Sequence, residues 1–355
     1  MFNQSPAAAT AAGIAGASPA HDIAGTGLLT LHRQRDSRTM MASLGVGIGC
    51  GLVSALLFGV MTTGTPLGVL LSYFAPLPIF IAAVGWPHRT GLLAACVGIA
   101  VSTVAIRWSA GLAYGVSLGL PAWWLGYLAM LGRPMPDGKS EWYPTGRLLL
   151  WIVAIAAVVT ILVPLAQGSS LAAYREAMRR ILDAALRGEA GADVPLNLPE
   201  GVSQDDVIAV IVAAIPIISA MFFVPIQAFN LWLAGKVVAL SGRLARPWPQ
   251  VSDTLMPRFA LALLVAGVGL ALLGDGLVSF VAQALCGALA AAFALQGLGA
   301  LHALTRDKPA RPAILGGVYL LLAILNVWML PLLALGGAVD TLLQRGRTAP
   351  PPLKS

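Results

Sequence analysis

The stretch MASLGVGIGCGLVSALLFGVM, residues 41–61, decides the fold class. It contains no Asp, Glu, Lys, Arg or His. At about 1.5 Å of rise per residue, roughly 20 apolar residues in a helix match the ~30 Å hydrocarbon layer of a bilayer. Eight further apolar runs follow at residues 66–86, 91–108, 111–131, 147–166, 207–235, 259–274, 277–304 and 313–339. Charge collects in the short gaps between them. The chain is 58% hydrophobic and 10% charged, against about 25% charged residues in an ordinary soluble domain. A soluble chain of 355 residues could not bury so much apolar surface. In lipid the backbone must satisfy its own hydrogen bonds, which selects helices. A β-barrel would show alternating segments of about ten residues, and these runs are continuous. The fold class is therefore all-α: a polytopic transmembrane helical bundle of about nine spans. Eight is the competing count, because the last run holds Pro331 and the pair Gly316–Gly317 and so can bend or re-enter.

The formal net charge is +7. No basic block is interleaved with aromatic residues and no nucleic-acid motif occurs, so nucleic acid is not an expected partner. The charge follows instead the positive-inside bias of membrane proteins. With the amino terminus inside, fourteen of the 22 Lys and Arg residues lie in cytoplasmic segments. The expected location is the bacterial inner membrane, multi-pass, with a cytoplasmic amino terminus. Nine crossings would leave Arg345 and Arg347 outside, against the rule.

Residues 1–40, rich in Ala, Gly, Ser and Thr, read as a disordered cytoplasmic tail, with Met40 and Met41 offering later starts. Residues 41–342 form the transmembrane domain, and 343–355 a second disordered tail. An extramembrane insertion occupies 168–206. Within it Tyr174, Met178, Ile181, Leu182 and Leu186 recur at helical spacing, opposite Arg175, Arg179, Arg180, Asp183 and Arg187. That pattern predicts an amphipathic surface helix over 171–187, either a connector or a lid over an external cavity. Ser203 to Asp206 supplies a helix N-cap before the sixth run.

Chemistry is scarce. Charge inside the bilayer is the usual mark of coupling or catalysis, and the runs hold almost none. Asp275 sits in a Gly-Asp-Gly turn and Asp340 ends the last run. Four scattered histidines and the absence of HExxH, GxSxG and P-loop patterns leave no catalytic residue, no metal site and no cofactor to assign. No enzyme is expected. Cys50, Cys96 and Cys286 read as small packing residues.

What remains is neutral polarity beside irregular helix. Pro76 and Pro78 interrupt the second run next to Tyr73, and each proline removes a backbone donor and frees carbonyls. Trp124 follows Gly119-Leu-Pro in the fourth run. Gln227 and Asn230 follow Pro225 in the sixth. Tyr73, Pro76, Pro78, Trp124, Gln227 and Asn230 are therefore the candidate substrate-binding residues, with interhelical hydrogen bonding as the alternative role. Gly45, Gly47, Gly49 and Gly51 form a small-residue face that could dock a partner or pack internally.

Several of these stretches carry a resemblance. Leu71-Ser-Tyr-Phe-Ala-Pro-Leu-Pro-Ile-Phe, Gly119-Leu-Pro-Ala-Trp-Trp-Leu-Gly-Tyr, Asn230-Leu-Trp-Leu-Ala-Gly-Lys, Ser241-Gly-Arg-Leu-Ala-Arg-Pro-Trp-Pro and Ala294-Leu-Gln-Gly-Leu are similar, in order, to the bacterial predicted-membrane-protein family called domain of unknown function 2232. The resemblance covers about residues 41–345 and implies no established activity. More remotely the chain looks like the substrate-binding membrane subunits of energy-coupling-factor vitamin transporters. That likeness implies a small neutral or weakly polar solute held between helices, and docking to an ATP-driven transport module. The expectation is a small-solute binding or transport subunit in contact with the lipid bilayer. A membrane scaffold or cell-envelope assembly partner is the alternative.

Overall fold

The computed structural model describes residues 40–166, 170–187 and 201–343. The tails assigned to 1–40 and 343–355, and the middle of the insertion, lie outside the described residues except for Met40 and Leu343. By internal contacts the chain divides into Met1–Gly45 and Val46–Ser355, and the packing described below is that of the second unit.

Helix α1 covers Met40–Thr63 and closes in a 3-10 turn at Val60–Thr63. The second apolar run is not one helix. It forms α2 (Pro66–Ser72) and α3 (Pro76–Gly85), separated by the turn Tyr73-Phe74-Ala75. Pro76 cannot donate to the preceding turn, and its fixed φ suits the first position of a new helix. Helix α4 is His88–Ala105. The fourth run contains α5 (Trp108–Tyr114), a π-helical segment at Gly115–Gly119, and α6 (Leu120–Ala129). A two-stranded hairpin, β1 (Gly132–Pro134) and β2 (Ser140–Trp142), follows with Gly132 opposite Trp142. Its turn passes through Asp137-Gly138, where Gly138 takes the left-handed φ of 78°.

Helix α7 runs Thr145–Ala166. The predicted amphipathic helix is present as α8, Leu171–Arg187. Helix α9, Gln204–Leu240, starts at the expected cap: Ser203 Oγ accepts from the Asp206 amide at 3.2 Å, and the Ser203 amide donates to Asp206 Oδ2 at 3.0 Å. Helices α10 (Phe259–Leu273) and α11 (Gly276–Leu304) form a hairpin around Gly274-Asp275. The last run breaks at Leu325 into α12 (Arg311–Ile324) and α13 (Asn326–Leu342).

Six of these segments are long and apolar enough to cross a membrane: Met40–Thr63, Pro66–Gly85, His88–Ala105, Thr145–Leu162, Gln204–Leu240 and Gly276–Leu304. Shorter apolar helices lie at Phe259–Leu273, Arg311–Ile324 and Trp328–Leu342, in keeping with the polytopic helical bundle read from the sequence. The bundle centre is made where α3, α6, α7, α9 and α11 meet, around Phe80, Leu125, Ile152, Val224, Leu289 and Phe293. Lipid gives little hydrophobic drive between helices, so close approach at small residues takes its place. A Cβ on Gly287 would overlap the Ile217 carbonyl of α9, and one on Gly337 would overlap the Phe293 carbonyl of α11. Large apolar side chains such as Leu56, Val265 and Leu272 point outward, as a lipid-facing surface requires.

The two short helices α12 and α13 begin and end near one end of the bundle. Just past α11, Arg306 donates to Gln250 Oε1 at 3.2 Å and to Ser252 Oγ at 3.0 Å in the α9–α10 connection. Near the end of α13, Asp340 Oδ2 accepts from Gln296 Nε2 at 2.9 Å, and Gln296 Oε1 accepts from the Met256 amide at 2.9 Å. Gln296 lies about 30 Å along α11 from its start at Gly276. The chain therefore does not travel to the far end, where α10 turns into α11. A reporter fused after Leu343 is expected to read the same membrane side as one inserted between residues 242 and 258. Opposite sides would restore nine crossings.

Candidate binding cavity

The break between α2 and α3 exposes backbone that other helices use. Asn230 Nδ2 on α9 donates to the Tyr73 carbonyl at 2.8 Å and to the Ile226 carbonyl, one turn back, at 2.8 Å. Ser54 Oγ donates to the Ala75 carbonyl and lies 2.6 Å from the Tyr114 hydroxyl. The prolines thus free carbonyls, as expected, and helix side chains take them up. Asn230 is 1% exposed, yet its Oδ1 has no hydrogen-bond partner among the described residues. A buried carbonyl oxygen without a donor costs about 1–3 kcal/mol.

Asn230 lines a cavity of about 690 Å³. The walls come from the α2–α3 break, the facing ends of α6 and α7, the middle of α9, and Leu295, Leu298 and Tyr319 of α11 and α12. They are mainly apolar. The segment from Arg246 to Thr254 contributes to one end. Among the described lining residues Arg246 is the sole ionised side chain.

Arg246 is 7% exposed. Its Nη1 donates to the Ala129 carbonyl at 2.6 Å, at the close of α6, and its Nη2 to the Tyr143 carbonyl at 3.1 Å, just after β2. The guanidinium carbon lies 5.9 Å from the Trp142 ring centroid. The hairpin therefore helps build this site, since its register brings Trp142 back beside the end of α6. Burial pushes the Arg246 pKa down from its ordinary value, but a guanidinium starts so high that it stays charged. Among the described residues no carboxylate forms an ion pair with it; the four ion pairs lie elsewhere, on exposed side chains.

The loop that carries Arg246 is firmly seated. Trp248 packs against Gly235, where any Cβ would overlap its indole. The Leu255 carbonyl presses on Gly146 in the same way. Arg306 ties down Gln250 and Ser252.

Of the residues singled out from sequence, Tyr73 and Asn230 line the cavity. Pro76 and Pro78 are buried at the start of α3 and set the break without reaching the cavity. Gln227, one turn before Asn230, donates to the Ser117 carbonyl of the π-helical segment at 3.3 Å, and its buried Oε1 has no partner among the described residues. It too is absent from the cavity lining. Trp124 belongs instead to an aromatic cluster, 5.5 Å from the Trp151 centroid, 5.8 Å from Tyr127 and 6.1 Å from Trp123. The glycine face divides in two. Gly47 and Gly51 sit against Leu93, Ala94 and Val97 of α4, while a Cβ at Gly45 or Gly49 would meet nothing within 4 Å.

Among the described residues helix α8 contributes none to this cavity. It touches the opening turns of α9 and α11, through Arg179 to Asp205 at 2.9 Å and Tyr174 against Phe280. Asp205 precedes Pro225 by about 30 Å of helix, so α8 lies away from this cavity. The residues that sequence reasoning missed are Arg246 and Trp248. Arg246 counted toward topology and within the family stretch Ser241–Pro249, with no role at a site. The available signal was the Arg246-Pro-Trp-Pro stretch, where two prolines fix the loop around an aromatic anchor. Among the described residues no three His, Cys, Asp or Glu side chains gather to hold a metal ion.

Fold and cavity together define a polytopic helical membrane protein with a mainly apolar, half-open cavity lined, among the described residues, by one buried cation. The chain belongs to the family of predicted membrane proteins designated DUF2232, whose profile matches residues 52–341. No curated protein and no solved structure matches it.

Proposed function

We propose that this protein is a ligand-binding subunit of the bacterial inner membrane that captures a small solute and has no catalytic site of its own. Transport would be driven by a separate ATP-dependent module. The observation that carries this reading is a mainly apolar cavity of about 690 Å³ whose lining includes two buried polar side chains, Asn230 and Arg246. Ligand pockets for small molecules typically measure about 300–1,000 Å³ and combine apolar walls with a few placed polar groups. With the amino terminus inside, the end of the cavity that holds Arg246 faces the cytoplasm.

The test is mass spectrometry of small molecules released on denaturing the purified protein. Unaltered protein is expected to carry a near-stoichiometric compound that Asn230→Leu loses, with the variant still folded by thermal melting. An empty wild-type protein whose melting no candidate solute shifts would end the binding reading. Co-purification with wall-synthesis or division proteins alone would favour a scaffold.

A further inference from the structure

We infer that the cavity is built for an amphiphile with an acidic head, a phosphate or carboxylate seated on Arg246, and an apolar body lying along α9 toward Asn230. This rests on the binding function proposed above and names its ligand class.

A buried charge requires a counter-charge or a full set of hydrogen bonds. Arg246 has five N–H donors in a planar fork, and its described hydrogen bonds go to two neutral carbonyls, of Ala129 and Tyr143. Stapling those carbonyls needs only neutral donors, which a Gln could supply without burying a cation. The guanidinium adds charge and a bidentate geometry that matches phosphate and carboxylate. Among the described residues no Asp or Glu lines the cavity to receive a cationic head or to neutralise Arg246. The remaining walls, with Leu148, Phe229 and Leu295, suit an alkyl or ring body. The acidic head could belong to a bilayer lipid or to a soluble amphiphile, and both place the same chemistry on Arg246.

Trp232 and Trp248 line the cavity and report its occupation by fluorescence. The full-length protein in maltoside detergent is titrated with decyl phosphate, decanol and inorganic phosphate. Decyl phosphate is expected to bind at least about tenfold more tightly than either of the others, in keeping with a charge-assisted hydrogen bond. Arg246→Gln is expected to lose about tenfold for decyl phosphate and nothing for decanol, and Arg246→Lys to recover part of the loss. Should Arg246→Gln fail to fold, the comparison of probes on the unaltered protein still decides. In phosphatidylcholine nanodiscs, displacement of decyl phosphate by added phosphatidic acid identifies a lipid source, and no displacement identifies a soluble amphiphile; either supports the acidic head. Equal affinities for decanol and decyl phosphate overturn it while leaving the binding function in place. If no probe binds and the purified protein releases no compound, both fall.

Discussion

Gly337→Val is expected to detach α13 from α11 and to destabilise the protein by about 3 kcal/mol, at the upper end of the cost of overpacking. The reason is the nature of the neighbours. A Cβ at Gly337 would overlap the Phe293 carbonyl and come within 2.9 Å of the Gly297 amide nitrogen, and Gly297 is pressed in turn against the Leu333 carbonyl. These are backbone atoms in helices and cannot rotate away. Separation would also pull Asp340 and Thr341 from Gln296, a fully buried side chain that accepts from Thr341 Oγ at 3.2 Å. Gly336 is the internal control, since a Cβ there meets nothing within 4 Å. Thermal melting in detergent should show a large loss for Gly337→Val and a small one for Gly336→Val. Similar melting of the two variants would mean that the crossing contributes nothing.

Gly235→Leu is the second large effect, and it acts on the cavity more than on the fold. The side chain would occupy the volume of the Trp248 indole, two residues beyond Arg246. Trp248 is a side chain and can move, so the stability loss should be smaller, about 2 kcal/mol. The displacement would carry the Arg246 loop with it, and a shift of even ~1 Å in a binding constellation weakens it strongly. Decyl phosphate affinity is expected to fall by about tenfold or more, with helix content unchanged by circular dichroism. Unchanged affinity would show that the cavity does not depend on the Trp248 seat.

Several features were legible because their causes are local. The amphipathic helix Leu171–Arg187 followed from spacing within its own 17 residues. The capping box at Ser203 and Asp206 is written within four residues. Pro76 and Pro78 announced an interruption, though not that Asn230, 157 residues away, would fill the carbonyl it exposes. The π-helical segment at Gly115–Gly119 and the hairpin at 132–142 gave weaker signals. Each is short, and only the Asp137-Gly138 pair marks the hairpin turn. Gln227 and Trp124 met the same criteria as Asn230, neutral polarity near a break, and they face other neighbours because helix rotation is set by packing.

The sequence by itself determined the solvent of this protein. Continuous apolar runs with charge confined to the gaps admit only helices in a bilayer, and that conclusion needs no partner residue. Tertiary structure alone decided what the charges do. Arg246 reads as one more interfacial cation until the fold brings it to carbonyls 117 and 103 residues away and onto the wall of a cavity. It alone decided, too, that the last apolar run breaks at Leu325 and ends beside Gln296. Local pattern fixes how a segment satisfies its own backbone, whereas burial of a single charge or the end point of a helix depends on contacts made across the whole chain.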